Sequence, residues 1–161
     1  MPAFRLPLQA KSRSMPQPKS LLERLHQAFW LLFLVGSLGY AWYAFYAPSN
    51  DIAWNPDFEA AATASRAGQK PMLVFVTATW CSPCRIMKRE VWADDEVKRW
   101  VEDRFFPVLL DADAPDAAPV LKRYGIQGTP CTLVINGEGE VLDYRFGAVS
   151  KPDFLEWTGR F

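Results

Sequence analysis

The sequence predicts an α/β fold in which helices flank a central mixed sheet, preceded by one N-terminal transmembrane helix. Apolar runs of strand-like composition alternate with stretches of helical period, and two late strands are joined by a hairpin pattern, which together predict the sheet. A long run without charge near the start predicts the transmembrane helix. The 161 residues leave room after that run for one domain of ordinary size.

The predicted membrane anchor covers residues 28–47, which contain no charged side chain. About twenty helical residues, each rising ~1.5 Å, span the ~30 Å of hydrocarbon in a bilayer. Trp30 lies near one end and Trp42 near the other, as expected of interfacial aromatic belts. A cleaved signal peptide and a buried core helix are the alternatives. We favour an uncleaved anchor, because the run is long and Phe45 stands where a cleavage site after Ala47 requires a small residue.

Charge is distributed unevenly on the two sides of this run. Five basic residues and one acidic residue precede residue 50, whereas thirteen basic and seventeen acidic residues follow it. Because basic segments tend to stay on the cytoplasmic side, we expect residues 1–27 to be a basic cytoplasmic tail and residues 48–161 to lie in the periplasm or outside. Residues 1–20 are predicted to be disordered. The domain has no basic face interleaved with aromatic residues, so nucleic acid is not an expected partner.

Helical and strand patterns alternate through residues 48–161. Asp57 is a predicted N-cap, and its helix is expected to end at Gly68. Residues 71–77 have the composition of a strand buried on both faces. Asn136-Gly137 marks a hairpin. Further helices are predicted over 96–104, 117–124 and 153–158, and further strands over 105–111, 132–135 and 140–146.

The candidate redox centre is a pair of cysteines, Cys81 and Cys84, which follow strand 71–77 and open a helix. The unpaired N–H groups and the dipole at a helix N-terminus favour a thiolate over a thiol. Thiols in such pairs have pKa values of roughly 3.5–7.5, against ~8.5 for free cysteine. We therefore expect Cys81 to attack substrates. Cys84, one turn further in and better shielded, is expected to resolve the mixed disulfide.

Two other interpretations of this pair are weaker. A structural zinc site needs about four ligands, and the single histidine, His26, precedes the apolar run. A structural disulfide usually joins distant elements instead of two residues on one turn. The sequence therefore predicts neither a metal nor another cofactor at this site.

The residues around the pair carry a family resemblance. The motif Trp80-Cys81-Ser82-Pro83-Cys84 is followed about forty-five positions later by residues 125–130, which end in Thr129-Pro130, and then by the hairpin and a closing helix. This arrangement resembles the thioredoxin superfamily over residues 52–161, and within it the thioredoxin-like domain of bacterial transmembrane thiol:disulfide interchange proteins. The resemblance implies a thioredoxin-like fold, a redox disulfide between Cys81 and Cys84, and substrate contacts by Trp80, Thr129 and Pro130.

Three positions near the pair need separate comment. The resemblance implies a cis peptide bond before Pro130, whereas an ordinary trans proline also suits a strand entry. Many members carry a buried aspartate where this chain has Phe75, so proton removal from Cys84 needs water or another group. Cys131, expected close to the pair, is a candidate accessory thiol or ligand for a soft metal such as Cu(I). We favour a small buried apolar role for it.

The expected function is that of an enzyme: a membrane-anchored thiol–disulfide oxidoreductase that reduces or isomerises disulfides of extracytoplasmic proteins. Its expected partners are cysteine-containing protein substrates, the membrane through residues 28–47, and a membrane electron donor. The alternative is a tethered thioredoxin-like binding module, acting as a chaperone or in copper handling, without oxidoreductase turnover.

Overall fold

A computed structural model of the chain describes residues 20–46 and 48–161. The predicted disordered tail lies almost entirely outside these residues. By its internal contacts the chain divides into two units, residues 1–41 and 42–161.

The first helix, α1, runs over Leu21–Phe45 and is long and apolar enough to cross a membrane. It begins seven residues before the predicted anchor, so residues 21–27, assigned to the tail from the sequence, are helical. The reason is a capping box at its start. The backbone N–H of Glu23 donates to Ser20 Oγ at 3.2 Å, and the backbone N–H of Ser20 donates to Glu23 Oε2 at 3.0 Å.

Four strands form one mixed sheet in the order β2-β1-β3-β4. The pair β1–β2 is parallel, whereas β1–β3 and β3–β4 are antiparallel. This confirms the predicted mixed sheet and the hairpin at its edge. The strands are β1 (Met72–Thr77), β2 (Phe106–Asp111), β3 (Cys131–Ile135) and β4 (Val141–Phe146).

The helices of the domain alternate with these strands. They are α2 (Phe58–Gly68), α3 (Ser82–Met87) continued by a π-helical turn (Lys88–Trp92), α4 (Asp95–Arg104), α5 (Ala117–Arg123) and α6 (Lys151–Thr158). Helix α2 ends at Gly68, as predicted, but the left-handed residue that follows it is Gln69, with φ of 50°. Gly68 instead permits close packing, because a Cβ there would lie 3.1 Å from the Phe106 ring.

Strand β1 is buried on both faces, as predicted, and each face contributes to a separate part of the core. Leu73 and Phe75 lie on the face covered by α3, α4 and α6, which we call the α3 face. Val74 and Val76 lie on the face covered by α2 and α5, which we call the α5 face. Trp92, 1% exposed, packs on the α3 face with its ring centroid 5.0 Å from that of Phe75.

Candidate active site

The cysteine pair lies at the junction between β1 and α3. Cys81 is the N-cap of α3, and Pro83 occupies the first turn, where a missing N–H costs no hydrogen bond. Cys81 and Cys84 form a disulfide with a Cα–Cα distance of 5.3 Å. The backbone N–H of Cys84 also donates to Cys81 Sγ at 3.2 Å. The N-terminal end of the helix is therefore directed at the sulfur that is expected to attack substrates.

Both cysteines are buried in this disulfide form. Cys84 is 0% exposed and Cys81 only 2%, so the expected difference in shielding is small. Because the exchange reaction requires contact between sulfur atoms, a substrate must press its own sulfur against the surface around Cys81. That surface therefore controls access to the pair.

Pro130 lies at the same end of the sheet as the cysteine pair. The antiparallel pairing of Val76 with Cys131 places Pro130 beside the last residue of β1, just before the turn that carries Cys81. The peptide bond between Thr129 and Pro130 is cis, as the resemblance implies. The backbone N–H of Gly147 donates to the Pro130 carbonyl at 2.9 Å, which joins the end of β4 to this loop.

Trp80 and Thr129 border a shallow groove of about 200 Å³ beside the disulfide turn. The Trp80 side chain is 64% exposed, and its Nε1–H donates to Asp113 Oδ1 at 3.2 Å. Asp113 therefore orients the exposed ring, a role that was not predicted for it from the sequence. The only sequence feature that points to this hydrogen bond is an aspartate soon after the end of a predicted strand. The assignment of Trp80, Thr129 and Pro130 to substrate binding stays a prediction.

The expected proximity of Cys131 to the pair stays a prediction, but the strand register places its side chain on the opposite face of the sheet. Cys131 pairs with Val76 and packs with it and Leu133 on the α5 face, whereas Cys81 and Cys84 belong to the α3 face. Side chains alternate along a strand, so the sheet separates Cys131 from the disulfide. It is 3% exposed, and burial raises the pKa of its thiol to about 11. A buried neutral thiol agrees with the small apolar role favoured from the sequence.

Two buried hydroxyl groups on the α3 face, which also holds the pair, were not predicted from the sequence. Thr77 ends β1 and Thr132 lies in β3; they are 3% and 0% exposed. Among the residues that the structure describes, neither hydroxyl has a hydrogen-bond partner. Thr132 lies opposite Phe75 on the α3 face, and Thr77 follows Phe75 on the same face. Strand alternation in the sequence could have placed both there, but their missing partners required the structure.

A disulfide at the N-terminus of a helix, next to a cis-proline on a sheet of this topology, defines a thiol–disulfide oxidoreductase. The comparisons with known proteins agree with that class. The chain belongs to the thioredoxin-like domain family, which it matches over residues 58–161.

Two kinds of relative share this domain. The thiol:disulfide interchange protein DsbD of Neisseria meningitidis serogroup A is 32% identical over 89 residues, which are 55% of this chain and 15% of that protein. A thioredoxin of Pyropia yezoensis is 37% identical over 91 residues, which are 56% of this chain and 79% of that protein. The chain thus spans only a small part of the DsbD relatives but most of a thioredoxin.

Solved structures give the same picture. The oxidised C-terminal domain of DsbD from Neisseria meningitidis aligns with a TM-score of 0.55 and 26% identity, covering 67% of this chain and 98% of that domain. A thioredoxin from Thermus thermophilus aligns with a TM-score of 0.61 and 25% identity, covering 68% of this chain and 85% of that protein. The fold predicted from the sequence is thereby confirmed.

Proposed function

We propose that this chain is a membrane-anchored thiol–disulfide oxidoreductase that reduces or isomerises disulfides of extracytoplasmic proteins. The observation that carries the proposal is the Cys81–Cys84 disulfide at the N-terminus of α3, with a helix N–H directed at Cys81 Sγ. In the reduced form Cys81 attacks a substrate disulfide. Cys84 then closes the internal disulfide and releases the reduced substrate.

The anchored and extracytoplasmic parts of the proposal have separate support. Helix α1 has the length and composition of a membrane span. The basic residues before it and the acidic excess after it favour a cytoplasmic start and an external domain. The DsbD relatives are named as thiol:disulfide interchange proteins. A reducing role outside the cytoplasm also needs an electron donor in the membrane, because no cofactor is implied at the cysteine pair.

Reduction of insulin by dithiothreitol tests the activity. The full chain in detergent micelles should accelerate the precipitation of the insulin B chain, and Cys81→Ser should abolish the acceleration because the attacking sulfur is gone. Cys131→Ser is the matched control, since it removes a sulfur on the other face of the sheet and should keep the activity. Equal rates for the wild type and Cys81→Ser would contradict the enzymatic proposal and favour a binding module.

Protease digestion of sealed spheroplasts tests the topology. Added protease should degrade residues 48–161 and leave the segment before α1 protected, because the latter is proposed to face the cytoplasm. Digestion after detergent lysis provides the control for protease access. Protection of the domain in intact spheroplasts would refute the extracytoplasmic location without affecting the assignment of the redox pair.

A further inference from the structure

Two unpartnered hydroxyls lie in the part of the core that also holds the resolving thiol. Thr132 is 0% exposed and Thr77 is 3% exposed. Neither Oγ1 atom has a partner among the residues that the structure describes. A buried hydroxyl without a hydrogen bond lowers stability, because it has lost its water and gained nothing in return. Two such groups at one place therefore suggest a role in the reaction.

The strand register brings both hydroxyls to the α3 face around a single residue. Thr132 lies directly opposite Phe75 in the β1–β3 ladder, and Thr77 follows Phe75 by two positions on the same strand. Cys84, 0% exposed, packs into the same cluster as Phe75. The two hydroxyls thus neighbour Phe75 on the face of the sheet that also holds the resolving cysteine.

Cys84 has a proton that must leave this enclosed place. To resolve a mixed disulfide, its thiol must become a thiolate, and a completely buried side chain cannot pass the proton directly to bulk water. A hydroxyl group both accepts and donates a hydrogen bond. It can therefore take a proton from a sulfur on one side and release its own on the other.

Charged groups on the same face provide an exit for the proton. The ladders place Asp111, Asp143 and Arg145 on the α3 face. Asp111 lies opposite Thr77 in the parallel β1–β2 ladder and is half-buried, so among the described residues it is the carboxylate nearest to Thr77 in the strand register and is open to solvent. Its Oδ1 atom accepts from the backbone N–H of Asp113 at 3.0 Å. Arg145 lies opposite Thr132, but its guanidinium binds Asp143. Asp111 is thus the acceptor beside the threonine pair.

We propose that the hydroxyls of Thr77 and Thr132 bind the Cys84 sulfur in the reduced protein and relay its proton to Asp111 during the resolving step. This inference rests on the proposed function and names relay residues for the same site. It assigns Thr77 the position next to the acceptor and Thr132 the second hydrogen bond to the sulfur.

The step balances in protons and electrons. In the mixed disulfide, the Cys84 thiol gives its proton to the Thr77 oxygen while the Thr77 hydroxyl gives its own proton to the Asp111 carboxylate. The Cys84 thiolate attacks Cys81 Sγ, so the internal disulfide forms and the bond to the substrate breaks. The substrate leaves as a thiolate and takes a proton from solvent. Over the attack and the resolving step together, the substrate disulfide gains two electrons and the cysteine pair loses two.

Single-turnover reduction of the aromatic disulfide dithiobis(nitrobenzoate) by the reduced full chain in micelles separates the two steps. Attack by Cys81 releases the first coloured thiolate, at a rate that depends on reagent concentration. Closure by Cys84 releases the second at a rate that does not. We expect Thr77→Val and Thr132→Val to slow the second phase about tenfold, a modest loss for proton transfer. They should also move its pH profile upward and leave the first phase unchanged.

Serine replacements and stability measurements separate a relay from a packing role. Thr77→Ser and Thr132→Ser keep the hydroxyl and should restore most of the second-phase rate. A packing role predicts the opposite order, with the isosteric valine variants near the wild type and the serine variants, which lose a methyl group, slower. The valine variants should unfold at the same or higher urea concentration than the wild type, because an unpartnered hydroxyl is removed. Asp111→Asn should slow the second phase like Thr77→Val.

The possible outcomes distinguish this inference from the proposed function. A wild-type chain that releases no coloured thiolate contradicts the proposed function itself. If the wild type and both valine variants release the two thiolates at the same rates, the relay is wrong and the proposed function still stands. If Thr77→Val slows the second phase but Asp111→Asn leaves its rate unchanged, Asp111 is not the group that accepts the proton.

Discussion

The carboxylate of Asp143 links the edge strand β4 to the closing helix α6, and its removal should destabilise the domain in a pH-dependent way. Its Oδ2 atom accepts a hydrogen bond from Trp157 Nε1–H at 2.9 Å and another from Arg160 at 2.8 Å. Its Oδ1 atom accepts from the backbone N–H of Tyr144 at 2.7 Å and pairs with Arg145 at 3.2 Å. The Trp157 hydrogen bond, followed by the Tyr144 amide and the two arginines, lowers the pKa of Asp143 below its ordinary value, and partial burial opposes this.

The size of the effect follows from these contacts. A hydrogen bond to a charged group stabilises a fold by roughly 1.5–3 kcal/mol. The two ion pairs add less than ~1 kcal/mol, because Arg145 and Arg160 are 41% and 55% exposed. We therefore expect Asp143→Asn to reduce the free energy of unfolding by about 2 kcal/mol near neutral pH, most of it from the bond to Trp157.

The pH dependence has a definite sign. Because the folded pKa is below the unfolded value of about 3.9, the carboxylate stabilises the fold fully above that value. This contribution is lost as the pH falls toward the folded pKa. The difference in stability between wild type and Asp143→Asn should therefore be constant from neutral pH to about pH 5 and shrink below about pH 4.

Urea unfolding of the full chain in micelles, followed by circular dichroism over this pH range, measures that difference. Glu156→Gln is the matched control, because it removes one negative charge from an exposed position on α6, the helix that Asp143 contacts. It should change stability by less than about 0.5 kcal/mol. A difference for Asp143→Asn that equals the control, or that persists undiminished in acid, would refute the reasoning.

Two further predictions concern a helix cap and the third cysteine. Asp94 caps α4 by accepting from the N–H groups of Glu96 and Val97, and the Lys151 hydrogen bond is the largest cause that lowers the pKa of Asp94. Asp94→Ala should cost about 1 kcal/mol in urea unfolding near neutral pH, and the loss should fade in acid; an unchanged midpoint would contradict it. Cys131, with its thiol pKa raised to about 11 by burial, should resist iodoacetamide in the folded chain near pH 8 and react in urea. Peptide mass spectrometry that detects alkylated Cys131 in the folded chain would disprove this.

Much of the fold could be predicted because its signals are local. The composition of β1 and the Asn136-Gly137 turn each report on a few neighbouring residues. The start of α1 was missed although its signal was present, since Ser20 and Glu23 have the spacing of a capping box. The predicted anchor covers only the charge-free part of the helix, which suits a bilayer. The polar turns over residues 21–27, predicted to belong to the tail, are also helical.

The rest depended on contacts between distant segments. The π-helical turn over Lys88–Trp92 has no local signal, because it fits Trp92 against Phe75 and Phe154. The hydrogen bond from Trp80 to Asp113 spans 33 positions. The face of Cys131, by contrast, was available from strand alternation with Leu133. Its place beside Pro130 in the sequence predicts only that its backbone is near the pair, whereas the direction of its side chain follows from the alternation along β3.

The sheet places Cys131 on the α5 face and the Cys81–Cys84 pair on the α3 face, which assigns different expected roles to the three sulfurs. Exchange requires contact between sulfurs, so we expect that Cys131, buried on the α5 face, does not attack a mixed disulfide held on Cys81. Resolution is left to Cys84, which is completely buried. Cys81 has a helix N–H directed at its sulfur, whereas Cys84 has no such aid and must first lose a proton inside the core. Under the proposed function, the lifetime of the mixed disulfide should depend on how quickly that proton reaches solvent, so we expect substitution of Thr77 or Thr132 to slow resolution by Cys84 more than the initial attack by Cys81.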